Sequence, residues 1–105
     1  SCSKNIGAHM NDEKKSVSVK IKVTGRVQRV GYRYFVQHWA EDFGIGGWVK
    51  NQRDGSVFLE AEGRKDRIEK LIKELKEGPS MAQVEKVNVK WAGFENKYKN
   101  FEVLY

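Results

Sequence analysis

At 105 residues the chain has the length of a single domain, and its composition (39% hydrophobic, 32% charged, one proline) is globular. No stretch approaches the ~20 consecutive apolar residues that a membrane-spanning helix needs, and one cysteine and two histidines exclude a disulfide framework and make a zinc site or a Ser–His–Asp arrangement untenable. The formal charge of +6 suits an anionic partner, nucleic acid, membrane or phosphate, although lysines alternating with glutamates along the chain describe a solvated surface.

The first ten residues, SCSKNIGAHM, resemble no targeting signal and read as an expression-vector remnant ending at Met10. Cys2 and His9 fall within it, which leaves His38 as the remaining histidine of a single domain spanning 11–105. Residues 16–24 then alternate strictly, Val17, Val19, Ile21 and Val23 against Ser18, Lys20, Lys22 and Thr24, the pattern of a half-buried strand. Residues 25–33 hold two glycines and three arginines without a helical stripe and read as a loop. From Tyr32 the period changes: Phe35, Val36, Trp39, Ala40 and Phe43 recur at helical spacing until Gly44.

Residues 46–52 and 56–62 read as two strands joined at Arg53-Asp54-Gly55, since Asp-Gly tolerates the positive φ values of a tight hairpin. Ile68, Leu71, Ile72 and Leu75 predict an amphipathic helix that Gly78-Pro79 terminates. Val87, Val89 and Trp91 alternate in a fourth strand; Phe101, Val103 and Tyr105 alternate in a short final one. The order β-α-β-β-α-β makes two split βαβ units, an α+β sandwich of the ferredoxin-like kind. Right-handed crossovers place both helices on one face of a mostly antiparallel sheet, with a short extra C-terminal strand. That fold hosts many functions, so the chemistry has to be read from particular residues.

The first strand–helix connection carries the most information. Backbone N–H groups converge where a glycine-bearing loop enters a helix, and the helix dipole adds positive potential, which makes an anion cradle. Arg33 stands at the helix start, where its planar fork can hold two phosphate oxygens. Asn51, near the hairpin, reads on its own as a turn residue. Tyr32 and Trp48 read as core or pocket-wall residues, Asp54 and Gly55 as turn formers, and Trp39 and His38 are assigned no function.

The run Gly25-Arg26-Val27-Gln28-Arg29-Val30-Gly31-Tyr32-Arg33 resembles the acylphosphatase signature, in which a glycine-led loop ends in an aromatic and an arginine. The family's second motif is matched in every spacing by Gly47-Trp48-Val49-Lys50-Asn51 followed by Gly55, Val57 and Gly63. Gly78-Pro79 and the aromatic Tyr105 are also similar, so the resemblance spans residues 16–105. It implies hydrolysis of the carboxyl–phosphate anhydride of small acyl phosphates without metal or cofactor. The phosphate would lie on the loop amides of Gln28, Arg29, Val30, Gly31, Tyr32 and Arg33, clamped by the Arg33 guanidinium. Asn51 would orient the attacking water, and the substrate's own phosphate would take its proton. A cytoplasmic monomer that binds acyl phosphate and inorganic phosphate, but neither nucleic acid nor membrane, is the corresponding expectation.

One residue departs from the family. Arg29 stands where a glycine is usual; if positive φ is required there, the cost is roughly 1–2 kcal/mol. An arginine that points outward, or adds a second positive charge near the anion, leaves the amide cradle intact with altered affinity, and this is the favoured reading; a domain that binds acyl phosphate without turning it over is an alternative that Arg29 alone supports. A ferredoxin-like RNA-binding domain is the other alternative, but the strand that would stack bases reads SVFLEAEG, with one phenylalanine and two glutamates.

Overall fold

A computed structural model describes residues 15–28 and 31–104. The segment with Cys2, His9 and Met10, the loop residues Arg29 and Val30, and Tyr105 lie outside the described residues. The elements run β1 (Ser16–Arg26), α1 (Tyr32–Asp42), β2 (Gly46–Asn51), β3 (Val57–Arg64), α2 (Lys65–Glu77), β4 (Gln83–Gly93) and β5 (Phe101–Leu104). They form one sheet in the order β4-β1-β3-β2-β5. Its pairings are antiparallel except for β5, which lies parallel to β2. This is the ferredoxin-like α+β fold, with β5 added at one edge.

Alternation in β1 decides which face is buried. Val19, Ile21 and Val23 meet Val57, Leu59 and Ala61 of β3 on one side of the sheet, and all six are fully buried. Tyr32, Val36 and Ala40 of α1 and Ile68, Leu71, Ile72 and Leu75 of α2 close the same core. Burying each such aliphatic side chain contributes roughly 1.5–3 kcal/mol, so the two helical stripes, rather than helix propensity, hold the helices to the sheet.

Two strands extend beyond their sequence patterns. β1 continues through Gly25 and Arg26 after an irregularity at Thr24, and β4 runs along its whole length, from Val17 opposite Gly93 to Arg26 opposite Gln83. The ends of β4 carry Gln83, Glu85, Lys86, Ala92 and Gly93, all exposed, because it is an edge strand with little surface to bury. Main-chain pairing, not side-chain alternation, continues it there.

β4 and β5 sit at opposite edges, so residues 94–100 must cross the sheet. Four strand spacings are roughly 19 Å, and a nearly extended seven-residue segment reaches roughly 23–25 Å. The segment therefore has no slack for a helix or hairpin. It is held instead by two carboxylates of β3 that point away from the helices. Glu62, 3% exposed, accepts the N–H groups of Glu95 (2.9 Å) and Lys97 (2.8 Å). Glu60 accepts the Tyr98 hydroxyl at 2.9 Å, which in turn accepts the Trp48 Nε1–H at 3.1 Å. Trp48 thus belongs to the outer face of the sheet, against Phe58 (ring centroids 5.6 Å apart), where it is not part of the core but lines a shallow pocket with Tyr98 and Lys97.

The glycine that opens the second motif has a steric reason. Gly47 has φ +147°, and a Cβ there would lie 1.9 Å from the Glu60 carbonyl oxygen. Gly47→Ala is expected to destabilise the fold by at least about 2 kcal/mol through backbone strain and forced separation of β2 from β3, read as a lowered urea midpoint.

Candidate active site

Where β1 ends, Val27 turns into the core and the Gln28 side chain reaches the β2–β3 hairpin. Its Nε2 donates to the carbonyls of Gln52 (2.6 Å) and Ser56 (2.9 Å), tying the start of the loop to the residues that follow Asn51. Gln28 is therefore a brace through its side chain, so any part it takes in anion binding falls to its backbone. Gly31 caps α1 with φ 76° and ψ 18°, a left-handed conformation that glycine adopts without a Cβ penalty.

The α1 N-terminus is electrostatically unlike that of α2. No side chain caps it and no acid occupies its first turn, whereas Asp66 lies in the first turn of α2. The first α1 hydrogen bond runs from the Phe35 N–H to the Gly31 carbonyl at 3.0 Å, so the preceding N–H groups point out along the helix axis. With no acid to offset it, the positive end of the dipole is kept for whatever lies beyond the helix.

Tyr32 and Arg33 follow with opposite assignments. Tyr32 is 1% exposed, and its hydroxyl donates to the Leu75 carbonyl of α2 at 2.7 Å. Burial raises that hydroxyl well above its ordinary value of 10.0, so it stays a neutral wedge between the helices. Arg33 is half-buried, and its Nη1 donates to the Leu104 carbonyl of β5 at 2.8 Å. Asn51, the last residue of β2, shares the helix-facing side of the sheet with Val49. Its Oδ1 is buried and has no hydrogen-bond partner among the described residues, an orphaned acceptor that ordinarily marks a position for a ligand or water.

These groups meet in one cavity of about 170 Å³ lined by Val27, Gly31, Tyr32, Arg33, Tyr34 and Asn51. Of the residues predicted for the site, Gly31, Tyr32, Arg33 and Asn51 converge there, while Arg29 and Val30 lie outside the described residues. Sequence reasoning did not find Tyr34, whose exposure on an amphipathic helix looks like ordinary surface, nor the Leu104 carbonyl, since main-chain acceptors carry no sequence signal. A larger groove of about 380 Å³ lies between α2 and β4 but holds none of the motif residues. Among the described residues there is no cluster of three or more His, Cys, Asp or Glu placed to hold a metal ion.

The α1 N-terminus, Arg33 and Asn51 are thus gathered into one small cavity of a ferredoxin-like domain. The acylphosphatase family model matches residues 19–103. An acylphosphatase of Salinibacter ruber is 46% identical over 85 residues, 81% of this chain and 90% of its own. One of Archaeoglobus fulgidus is 44% identical over 85% of this chain and 99% of its own. The crystal structure of acylphosphatase from Bacillus subtilis superposes with a TM-score of 0.82 at 35% identity, covering 85% of this chain and 99% of that one. The chain belongs to the acylphosphatase family.

The hairpin that carries Asn51 has its own titratable support. Asp54 accepts from the Ser56 hydroxyl and N–H and pairs with Lys22 Nζ at 2.9 Å, so its carboxyl is held well below its ordinary value of 3.8, chiefly by Ser56. A depressed folded-state value means that the stabilisation is complete above about pH 4 and fades as pH falls toward that lower value. Asp54→Asn should therefore lower the urea midpoint at pH 7, and the gap from wild type should narrow at pH 2.5.

Proposed function

We propose that this chain is an acylphosphatase that hydrolyses the carboxyl–phosphate anhydride of small acyl phosphates in the cavity between the α1 N-terminus and the end of β2. The observation that carries this reading is the buried Asn51 Oδ1, without a hydrogen-bond partner among the described residues, sharing that cavity with Arg33. Arg33 and the loop amides from Gln28 to Arg33 bind the phosphate, and the dipole of α1 adds to their potential. Asn51 accepts a hydrogen bond from a water and holds it against phosphorus.

An amide cannot act as a general base, and the lining supplies no other. Among the described residues the lining contains no His, Asp or Glu, and burial raises the Tyr32 phenol rather than lowering it. The chemistry does not require one. Water oxygen bonds to phosphorus as the bond to the acyl oxygen breaks, the carboxylate leaves with the electron pair, and a phosphate oxygen takes the water's proton. A carboxylate is a good leaving group and phosphoryl transfer is loose, so positioning and charge stabilisation supply most of the catalysis. The reaction as proposed uses no metal ion. The same reading makes the protein a cytoplasmic monomer; among the described residues no helix is long and apolar enough to cross a membrane.

The deciding experiment is hydrolysis of benzoyl phosphate in the presence of EDTA, alongside competition by inorganic phosphate. Arg33→Ala should weaken phosphate competition and lower kcat/KM together, by about 10²–10³-fold, because the clamp acts in ground and transition states alike. Asn51→Ala should leave phosphate competition within about twofold and lower kcat by about 10²–10³-fold, the usual cost of removing one orienting or stabilising hydrogen-bonding group. Loss of phosphate affinity in Asn51→Ala would overturn the division of roles. A folded wild type that binds phosphate and hydrolyses nothing would favour the binding-only reading and direct attention to Arg29.

A further inference from the structure

Glu62 stands at the end of β3 remote from the cavity. It is opposite Gly46 on β2, whereas Asn51 is opposite Val57. The strand between those two positions is roughly 17 Å long, and Glu62 lines no part of the cavity. Both of its carboxylate oxygens are nevertheless occupied: Oε2 accepts the Glu95 N–H at 2.9 Å and Oε1 the Lys97 N–H at 2.8 Å. Asn96, between the two donors, has φ 55° and is the one residue other than glycine with positive φ among the described residues. Asparagine tolerates that left-handed conformation better than most side chains, and here it accompanies two N–H groups that converge on one carboxylate.

The grip matters because β5 is weakly held by its own contacts. It is four residues long, has β2 as its sole neighbour in the sheet and pairs with it in parallel, the slightly weaker kind of ladder. Of its four residues Phe101 alone is buried. The place of β5 is therefore set largely by the chain that leads into it. After Lys97, Tyr98 lies directly on the backbone of β2, where a Cβ on Gly46 would come 2.7 Å from the Tyr98 carbonyl oxygen. The Asn100 carbonyl then accepts the Gly47 N–H at 2.9 Å. β5 follows and ends at Leu104, whose carbonyl accepts from Arg33 Nη1 at 2.8 Å. Main chain with no spare length thus runs from the Glu62 carboxylate to an acceptor of the Arg33 guanidinium.

We propose that Glu62 is a positioning residue for the phosphate clamp: its grip on residues 95–97 seats β5 where the Leu104 carbonyl orients Arg33. This rests on Arg33 binding phosphate, as in the function proposed above. A carboxamide at position 62 keeps the shape but offers one acceptor oxygen in place of two, so one N–H of the crossing segment loses its partner. The segment loosens, β5 loosens with it, and the guanidinium leaves the orientation that meets the phosphate. The clamp acts before and during the reaction, so the loss falls on binding and moves KM rather than kcat.

The test measures phosphate affinity from the phosphorus resonance of inorganic phosphate, which needs no turnover, together with KM and kcat for benzoyl phosphate. It compares wild type, Glu62→Gln, Asn96→Val and a core variant, Ile68→Val, under conditions where urea curves show each of them folded. Glu62→Gln should weaken phosphate affinity and raise KM by the same roughly three- to tenfold, part of the worth of one charge-assisted hydrogen bond, with kcat within about twofold. Asn96→Val disfavours the left-handed turn and reaches the same contact from the donor side, so it should act in the same direction even if Glu62→Gln does not fold. Ile68→Val should leave phosphate affinity and KM unchanged. In an Arg33→Ala background, Glu62→Gln should alter phosphate affinity by less than about twofold, because the group it acts through is gone. Folded variants at positions 62 and 96 with the phosphate affinity and KM of wild type would overturn the proposal. An undiminished effect of Glu62→Gln in the absence of Arg33 would overturn it as well. A wild type that binds no phosphate would overturn the reading of the cavity itself, and this proposal with it.

Discussion

The close approach of β2 to β3 at Gly47 sets the frame for everything that acts at the cavity. There the two backbones leave no space for a Cβ, and the Glu60 carbonyl occupies the position one would take. β2 is thereby drawn fully into the sheet, with β3 on one side and β5 on the other. Its last residue, Asn51, is carried to a fixed height beneath the start of α1. Gln28 then ties the loop ahead of α1 to the hairpin just after Asn51. Two hydrogen bonds thus fasten the start of that loop to the residues just beyond Asn51.

On the far face of the sheet, Glu60 and Glu62 do for β5 what Gly47 does for β2. The segment that crosses from β4 has almost no spare length, and its amides find acceptors on β3 instead of in a helix or strand of their own. That placement delivers Phe101 into the core and runs β5 alongside β2. Charged side chains 3% and 8% exposed are costly unless satisfied, and here two backbone N–H groups and a tyrosine hydroxyl satisfy them.

Much of this was readable in the amino-acid sequence. Strict alternation in residues 16–24 and the i, i+3, i+4, i+7 stripe of Ile68 to Leu75 are direct records of which face is buried, so the helices and central strands emerged correctly. Edge strands leave a weaker record. The ends of β4 pair through main chain alone, and its length was therefore underestimated. The burial of Glu60 and Glu62 leaves no sequence signal for a related reason: it comes from the crossing segment, whose groups cover those carboxylates on the outer face. The pairing of Arg33 with Asn51 was legible through motif spacing, not through any local property, since an arginine in a loop and an asparagine by a turn are each ordinary. Tyr34 left no signal apart from its exposure.

The Arg33 side chain is oriented in part by a peptide oxygen, that of Leu104, and this gives the contact an unusual genetic character. Every amino acid presents the same carbonyl. A scan of all replacements at position 104 would score the site as permissive while the acceptor stayed in place throughout. The information that orients the guanidinium is stored in where a strand lies, not in which residue occupies it, and so it is hidden from any comparison made letter by letter.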